Sequence, residues 1–85
     1  MKEFRYALRD ENGIHARPAG KLVKLAKSFR STITASFGVK NADVKKLVSL
    51  MGLGVKKGDE IIVLVEGEDE EEAASRLSQY FRENL

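Results

Sequence analysis

Residues 60–65 read Glu-Ile-Ile-Val-Leu-Val. Ile61 to Val65 is an unbroken apolar run, too short for a buried helix and opened by the turn dipeptide Lys57-Gly58. A strand that is apolar on both faces belongs in the middle of a sheet, because an edge strand or a one-sided strand alternates with polar residues. Downstream, Asp69 is placed to cap a helix, and Glu70 to Glu72 suit the positive end of its dipole. Ala73, Ala74, Leu77, Tyr80 and Phe81 recur at helical spacing and supply that helix with a buried stripe.

Upstream of the central strand, Lys46 to Met51 reads as a short helix closed by Gly52 and Gly54. Before it, Thr32 to Phe37 alternates, with Ile33, Ala35 and Phe37 on one side, and Gly38 turns the chain into a short strand from Val39 to Ala42. Pro18 is tolerated only in the first turn of a helix. After it, Ala19, Leu22, Val23, Ala26 and Phe29 form an apolar stripe, with Lys21, Lys24 and Lys27 on the other side. Phe4, Tyr6 and Leu8 alternate with Glu3, Arg5 and Arg9 as in a half-buried strand, and Asp10-Glu11-Asn12-Gly13 is a turn. The predicted order is β-α-β-β-α-β-α, an α+β domain with helices segregated on a mostly antiparallel sheet.

The 85 residues allow one domain, residues 1–85, with a small core. No cysteine is present, which excludes disulfides and thiolate metal sites, and a single histidine cannot build a histidine-rich one. Neither a metal nor a cofactor is expected. No apolar run approaches the roughly 18 residues of a membrane span, and Met1 to Arg9 lacks a signal-peptide core, so a cytoplasmic protein without membrane insertion is expected. A net charge of +2 is too small to argue for nucleic acid as a partner. The charge is polarised, however. Residues 15–30 hold Arg17, Lys21, Lys24, Lys27 and Arg30 with no acid, whereas residues 66–72 hold six acids and no base.

Chemistry concentrates in Gly13-Ile14-His15-Ala16-Arg17-Pro18-Ala19. Proline at 18 puts His15 at the helix N-cap, next to backbone N–H groups that have no partner inside the helix. An anion at such an end gains hydrogen bonds and dipole energy. Imidazole titrates near pH 6.5, so it is mostly neutral and nucleophilic in a cell, able to accept a phosphoryl group and release it. The transferred group asks mainly for charge stabilisation. The first turn, Ala16, Arg17 and Pro18, forms the expected phosphate-binding segment, with free N–H groups at 16 and 17 and the forked guanidinium of Arg17. Gly13 permits the tight approach that leaves the ring exposed. The competing reading is a solvated histidine serving as a weak cap, with Arg17 an ordinary surface charge.

The heptad Gly13–Ala19 resembles the active-site signature of the histidine-containing phosphocarrier (HPr) family of the bacterial phosphoenolpyruvate-dependent sugar phosphotransferase system. Leu50-Met51-Gly52-Leu53-Gly54, Lys57-Gly58 and Glu66-Gly67-Glu68-Asp69-Glu70 resemble the family at matching spacings, so the likeness covers nearly the whole chain. The resemblance implies an open-faced β-sandwich, a four-stranded antiparallel sheet in the order 1-4-2-3 with three helices on one face. It implies a stoichiometric carrier, not an independent catalyst, that accepts a phosphoryl group from enzyme I on Nδ1 of His15 and passes it to enzyme IIA domains of sugar permeases, with Arg17 against the phosphate. Docking would use Ala16, Gly20, Lys24 and Lys27 on the first helix and Leu47, Val48 and Met51 on the second. The plain alternative for the last three is core. A monomer making transient contacts is expected.

The match breaks at one place. Many Gram-positive members have a regulatory serine, phosphorylated by an ATP-dependent kinase, where this chain has Lys46. Lysine cannot be phosphorylated there and carries the opposite charge to phosphoserine. No serine switch is expected, and Ser49, about one turn away, is a poor substitute. The divergence keeps open a specialised family member in a dedicated or nitrogen-linked phosphorelay. Two readings from another class also stay open: a regulator that binds a transcription factor through the second helix, and a module that binds nucleic acid through its sheet. For the last, Ile62 and Leu64 lack the aromatic pair an RNA-reading sheet uses.

Overall fold

In the computed structural model, which describes residues 1–85, the elements run β1 (Lys2–Ala7), α1 (Ala16–Lys27), β2 (Thr32–Phe37), β3 (Lys40–Asp43), α2 (Leu47–Met51), β4 (Glu60–Glu66) and α3 (Glu70–Asn84). The strands form one sheet in the order β1-β4-β2-β3, and every neighbouring pair is antiparallel. The apolar run of β4 therefore lies inside the sheet, flanked by β1 and β2, as its two-sided hydrophobicity requires. Ile61, Val63 and Val65 are fully buried beneath the helices. Ile62 and Leu64 occupy the open face, half-buried beside Arg5 and Ser36, and Glu3 and Thr34, in the adjoining strands.

The core is a single cluster of 21 buried apolar residues drawn from every element but β1, whose Phe4 and Tyr6 pack against it partly buried. Phe81 of α3 is its largest fully buried side chain, and Phe4 and Tyr6 of β1 pack their rings on it at centroid distances of 5.7 and 5.5 Å. Truncating a buried phenylalanine costs roughly 3–5 kcal/mol, whereas an exposed ion pair contributes under about 1 kcal/mol. The buried stripe, far more than surface pairs such as Lys2–Glu71, thus seats α3 on the sheet.

The element order and fold class match the sequence expectation, and the boundaries differ in instructive ways. β1 stops at Ala7 instead of Arg9, yet Leu8 is buried and its N–H donates to Asp59 O at 2.9 Å. α1 ends at Lys27, so Phe29 is not part of its stripe. The Ser28 and Phe29 N–H groups bond three residues back, to Leu25 and Ala26, and this tighter turn delivers the Phe29 ring to the core from outside the helix. β3 begins at Lys40, because Phe37 pairs with Lys40 and Gly38 (φ 62) with Val39 makes a two-residue hairpin turn. Val39 is consequently 98% exposed. Lys46 precedes α2 as its N-cap residue and lies outside the helix proper.

Asp69 precedes α3 as expected, but its side chain makes no cap hydrogen bond to that helix. Its carboxylate instead reaches the loop after α1, accepting from Ser31 Oγ at 2.5 Å, Ser31 N–H at 3.0 Å and Arg30 N–H at 2.8 Å. The Ser31 hydroxyl, followed by these backbone donors, holds the Asp69 carboxyl below the usual carboxylate range.

Candidate functional site

The site begins with a constraint on Gly13. Its φ is 63, and a Cβ at this position would collide with the carbonyl oxygen of Val55. That same oxygen accepts the Ile14 N–H at 3.2 Å, and the Ile14 side chain is buried. The chain is thereby pinned against the loop that follows α2, and the next residue turns outward.

That residue is His15, extended (φ −114, ψ 173), whose side chain remains 39% exposed. Its carbonyl accepts the Ala19 N–H at 3.0 Å, which is the first bond of α1. Pro18 lies in this turn, is buried, and has no N–H to satisfy. Ala16 and Arg17, both exposed, keep N–H groups that no protein acceptor engages. No acid sits in the first turn, and Lys24 and Lys27 complement the far end of the helix. The start of α1 therefore has free N–H groups at 16 and 17 and no acid beside them.

A cleft of about 240 Å³ lies beside the ring. The loop contributes Asp10 and His15, α1 contributes Arg17, Pro18 and Lys21, and α3 contributes Tyr80 and Asn84. Tyr80 is half-buried and its hydroxyl donates to the Pro18 carbonyl at 2.8 Å, tying α3 to the first turn of α1. Burial pushes the phenol up from its ordinary value, so it remains a donor across the physiological range. Asp10 Oδ2 stands 3.7 Å from His15 Nε2. Chemically, the arrangement offers a nucleophilic ring, two unengaged amides, a permanent guanidinium and an ammonium around one small volume.

Asp10, Lys21, Tyr80 and Asn84 were not among the site residues the sequence suggested. Asp10 reads as a turn residue and Tyr80 as part of a buried stripe, and only the packing of α3 against α1 shows their second role. Of the residues expected to dock partners, Leu47, Val48 and Met51 are 39%, 87% and 38% exposed, because Leu50 alone takes the core position of α2. Ala16, Lys24 and Lys27 are exposed and Gly20 is half-buried on α1, which packs directly against α2.

Fold and site together define a small α+β protein that presents one histidine beside two unengaged amides and a guanidinium at the start of a helix. A family description, the PTS HPr component phosphorylation site, matches residues 2–83. The phosphocarrier protein HPr of Lysinibacillus sphaericus is 40% identical over 83 residues, covering 98% of this chain and 94% of that protein. HPr of Mycoplasma genitalium is 37% identical over 86 residues, covering 99% and 97%. The solved structure of a Mycoplasma histidine-containing phosphocarrier protein superposes with a TM-score of 0.93 at 32% identity, covering 96% of this chain and 93% of that one. The chain belongs to the HPr family of the phosphotransferase system.

Proposed function

We propose that this protein accepts a phosphoryl group from phospho-enzyme I on Nδ1 of His15 and donates it to enzyme IIA domains of sugar permeases. The observation that carries this proposal is the unengaged start of α1, where the Ala16 and Arg17 N–H groups and the Arg17 side chain adjoin an exposed imidazole. Hydrogen bonds to a charged group contribute about 1.5–3 kcal/mol, and an exposed helix dipole about 0.3–1 kcal/mol. Such modest stabilisation suits a carrier, which must hold the group briefly and release it. Pro18 shapes the turn without donating to the phosphate.

The protein acts stoichiometrically and as a monomer making transient contacts. Partners dock on Ala16, Gly20, Lys24 and Lys27 of α1 and on Leu47, Val48 and Met51 of α2, an apolar patch beside cations that suits an acidic rim. No membrane insertion is needed: no helix is long and apolar enough to cross a bilayer, and the role places the protein in the cytoplasm beside its donor. Lys46 at the exposed start of α2 favours transport over serine-linked gene regulation.

Mixing the protein with enzyme I and labelled phosphoenolpyruvate should place acid-labile label on it, and His15→Ala should take none. Label retained by His15→Ala would overturn the assignment.

A further inference from the structure

Asp10 is the one acidic residue lining the cleft, and it faces the ring nitrogen that does not carry the phosphoryl group. We propose that Asp10 is a positioning residue that keeps a proton on His15 Nε2 throughout phosphoryl transfer, an inference that rests on the carrier function proposed above.

Asp10 is held in place through both its side chain and its backbone. Its Oδ1 accepts the Asn12 N–H at 2.8 Å. The Asp10 N–H donates to a backbone oxygen of Leu85 at 2.9 Å, and the Asp10 carbonyl accepts the Gly13 N–H at 3.0 Å. Oδ2 is left to face Nε2 at 3.7 Å. That separation gives electrostatic attraction, while a hydrogen bond requires about 3.2 Å or less. Contacts of this kind commonly tighten once the reacting group is in place. The other ionisable groups facing the cleft are Arg17 and Lys21 from α1 and Tyr80 from α3, with Asn84 neutral. Both cations oppose a positive ring; the carboxylate at Leu85 meets the Asp10 N–H, and it is the Asp10 carboxylate that faces Nε2 and favours one.

The chemistry explains why the proton matters. A neutral imidazole protonated at Nε2 has its lone pair on Nδ1. That pair forms the Nδ1–P bond while the bond from phosphorus to the donor breaks, leaving its electrons on the donor. The ring is now cationic, and the Nε2 proton has not moved. On donation, a lone pair of the acceptor bonds to phosphorus, the Nδ1–P bond breaks, and its electrons return to Nδ1. The ring is neutral again in its starting tautomer. Had Nε2 lost its proton in between, the leaving group would be an imidazolate, a far poorer one, and the phosphoryl group would be stranded. A carboxylate beside Nε2 stabilises the cationic ring and extends to higher pH the range in which the carried group can leave.

The test charges wild type, Asp10→Asn and Asp10→Glu with phosphoramidate, a small phosphoryl donor, and follows the phosphohistidine ³¹P resonance with pH. The phosphorylated ring of Asp10→Asn should lose its Nε2 proton about one pH unit lower than wild type, and its donation to an acceptor should fail correspondingly earlier on the alkaline side. Asp10→Glu should stay close to wild type. Asparagine can still accept the Asn12 N–H, so the loop conformation is kept. Coincident titrations of Asp10→Asn and wild type would overturn the proposal, and so would equal shifts in the asparagine and glutamate variants. Phosphoramidate needs no partner protein. Refusal of the phosphoryl group from phospho-enzyme I would therefore break the carrier function, while the titration would still decide the part played by Asp10.

Discussion

Two helices of this protein begin in opposite ways. At the start of α3 the chain itself supplies the negative charge that the helix dipole favours. Glu70, Glu71 and Glu72 fill the first turn, Glu70 accepts the Gly67 N–H at 3.1 Å and pairs with the Met1 ammonium at 2.6 Å, and Asp69 clamps the loop at Arg30 and Ser31. At the start of α1 there is no acid; in both helices the cap side chain makes no bond to the helix and two first-turn N–H groups, of Ala16 and Arg17 or of Glu71 and Glu72, have no protein acceptor. The same dipole and the same unpaired amides thus meet fixed negative charge at one end and an acid-free approach at the other. A helix N-terminus is open to an anion only where the sequence declines to fill it with acid, and here the residue in the cap position is the histidine.

The contrast can be broken by making α1 resemble α3. Ala16 is exposed, so Ala16→Glu should fold and should even gain a few tenths of a kcal/mol from the dipole. Its carboxylate would occupy and repel where the phosphoryl group must sit, and transfer from phospho-enzyme I should slow at least about tenfold, equivalent to about 1.4 kcal/mol. Unchanged transfer would mean that the open helix start is incidental.

The converse change sharpens the contrast. Asp69→Asn removes a structural anion far from His15, so phosphoryl transfer should be untouched while the urea midpoint at neutral pH falls. The sign with pH follows from the lowered folded-state value of Asp69. Its contribution is fully present above the unfolded carboxylate value near pH 4 and is lost as pH falls through the folded value. The gap between wild type and variant should therefore close in acid, and a gap that widens there would contradict the clamp.

The smallest effect concerns Gly20, in the interior of α1, where a Cβ would meet nothing within 4 Å. Nothing inside the molecule calls for glycine, so Gly20→Ala should stabilise by about 0.5–1 kcal/mol in thermal or urea unfolding. If Gly20 serves partner approach, the same variant should show weaker docking in a titration with enzyme I. Unaltered docking would remove it from the interface.

Much of this was legible in the sequence because it is local. A two-sided apolar run placed β4 inside the sheet, Pro18 fixed where α1 begins, and a one-stripe pattern oriented α3. The same locality placed His15 and Arg17 at a helix start. What escaped was set by contacts between distant residues. The Asp69 carboxylate bonds to residues 38 and 39 positions earlier, and the Tyr80 hydroxyl reaches Pro18 across 62 residues. No periodicity signals either contact. Phe29 shows the complementary failure: its spacing fits the stripe of α1, yet the chain has already left the helix when it delivers that ring to the core.

A phosphoryl group received at the start of α1 would be read out by amide NMR on the phosphorylated protein. The Ala16 and Arg17 amide protons should move downfield and exchange more slowly on phosphorylation, with the first-turn amides of α3 unmoved. Phosphorylated protein in which the amides of residues 16 and 17 keep their shifts and exchange rates would contradict the account.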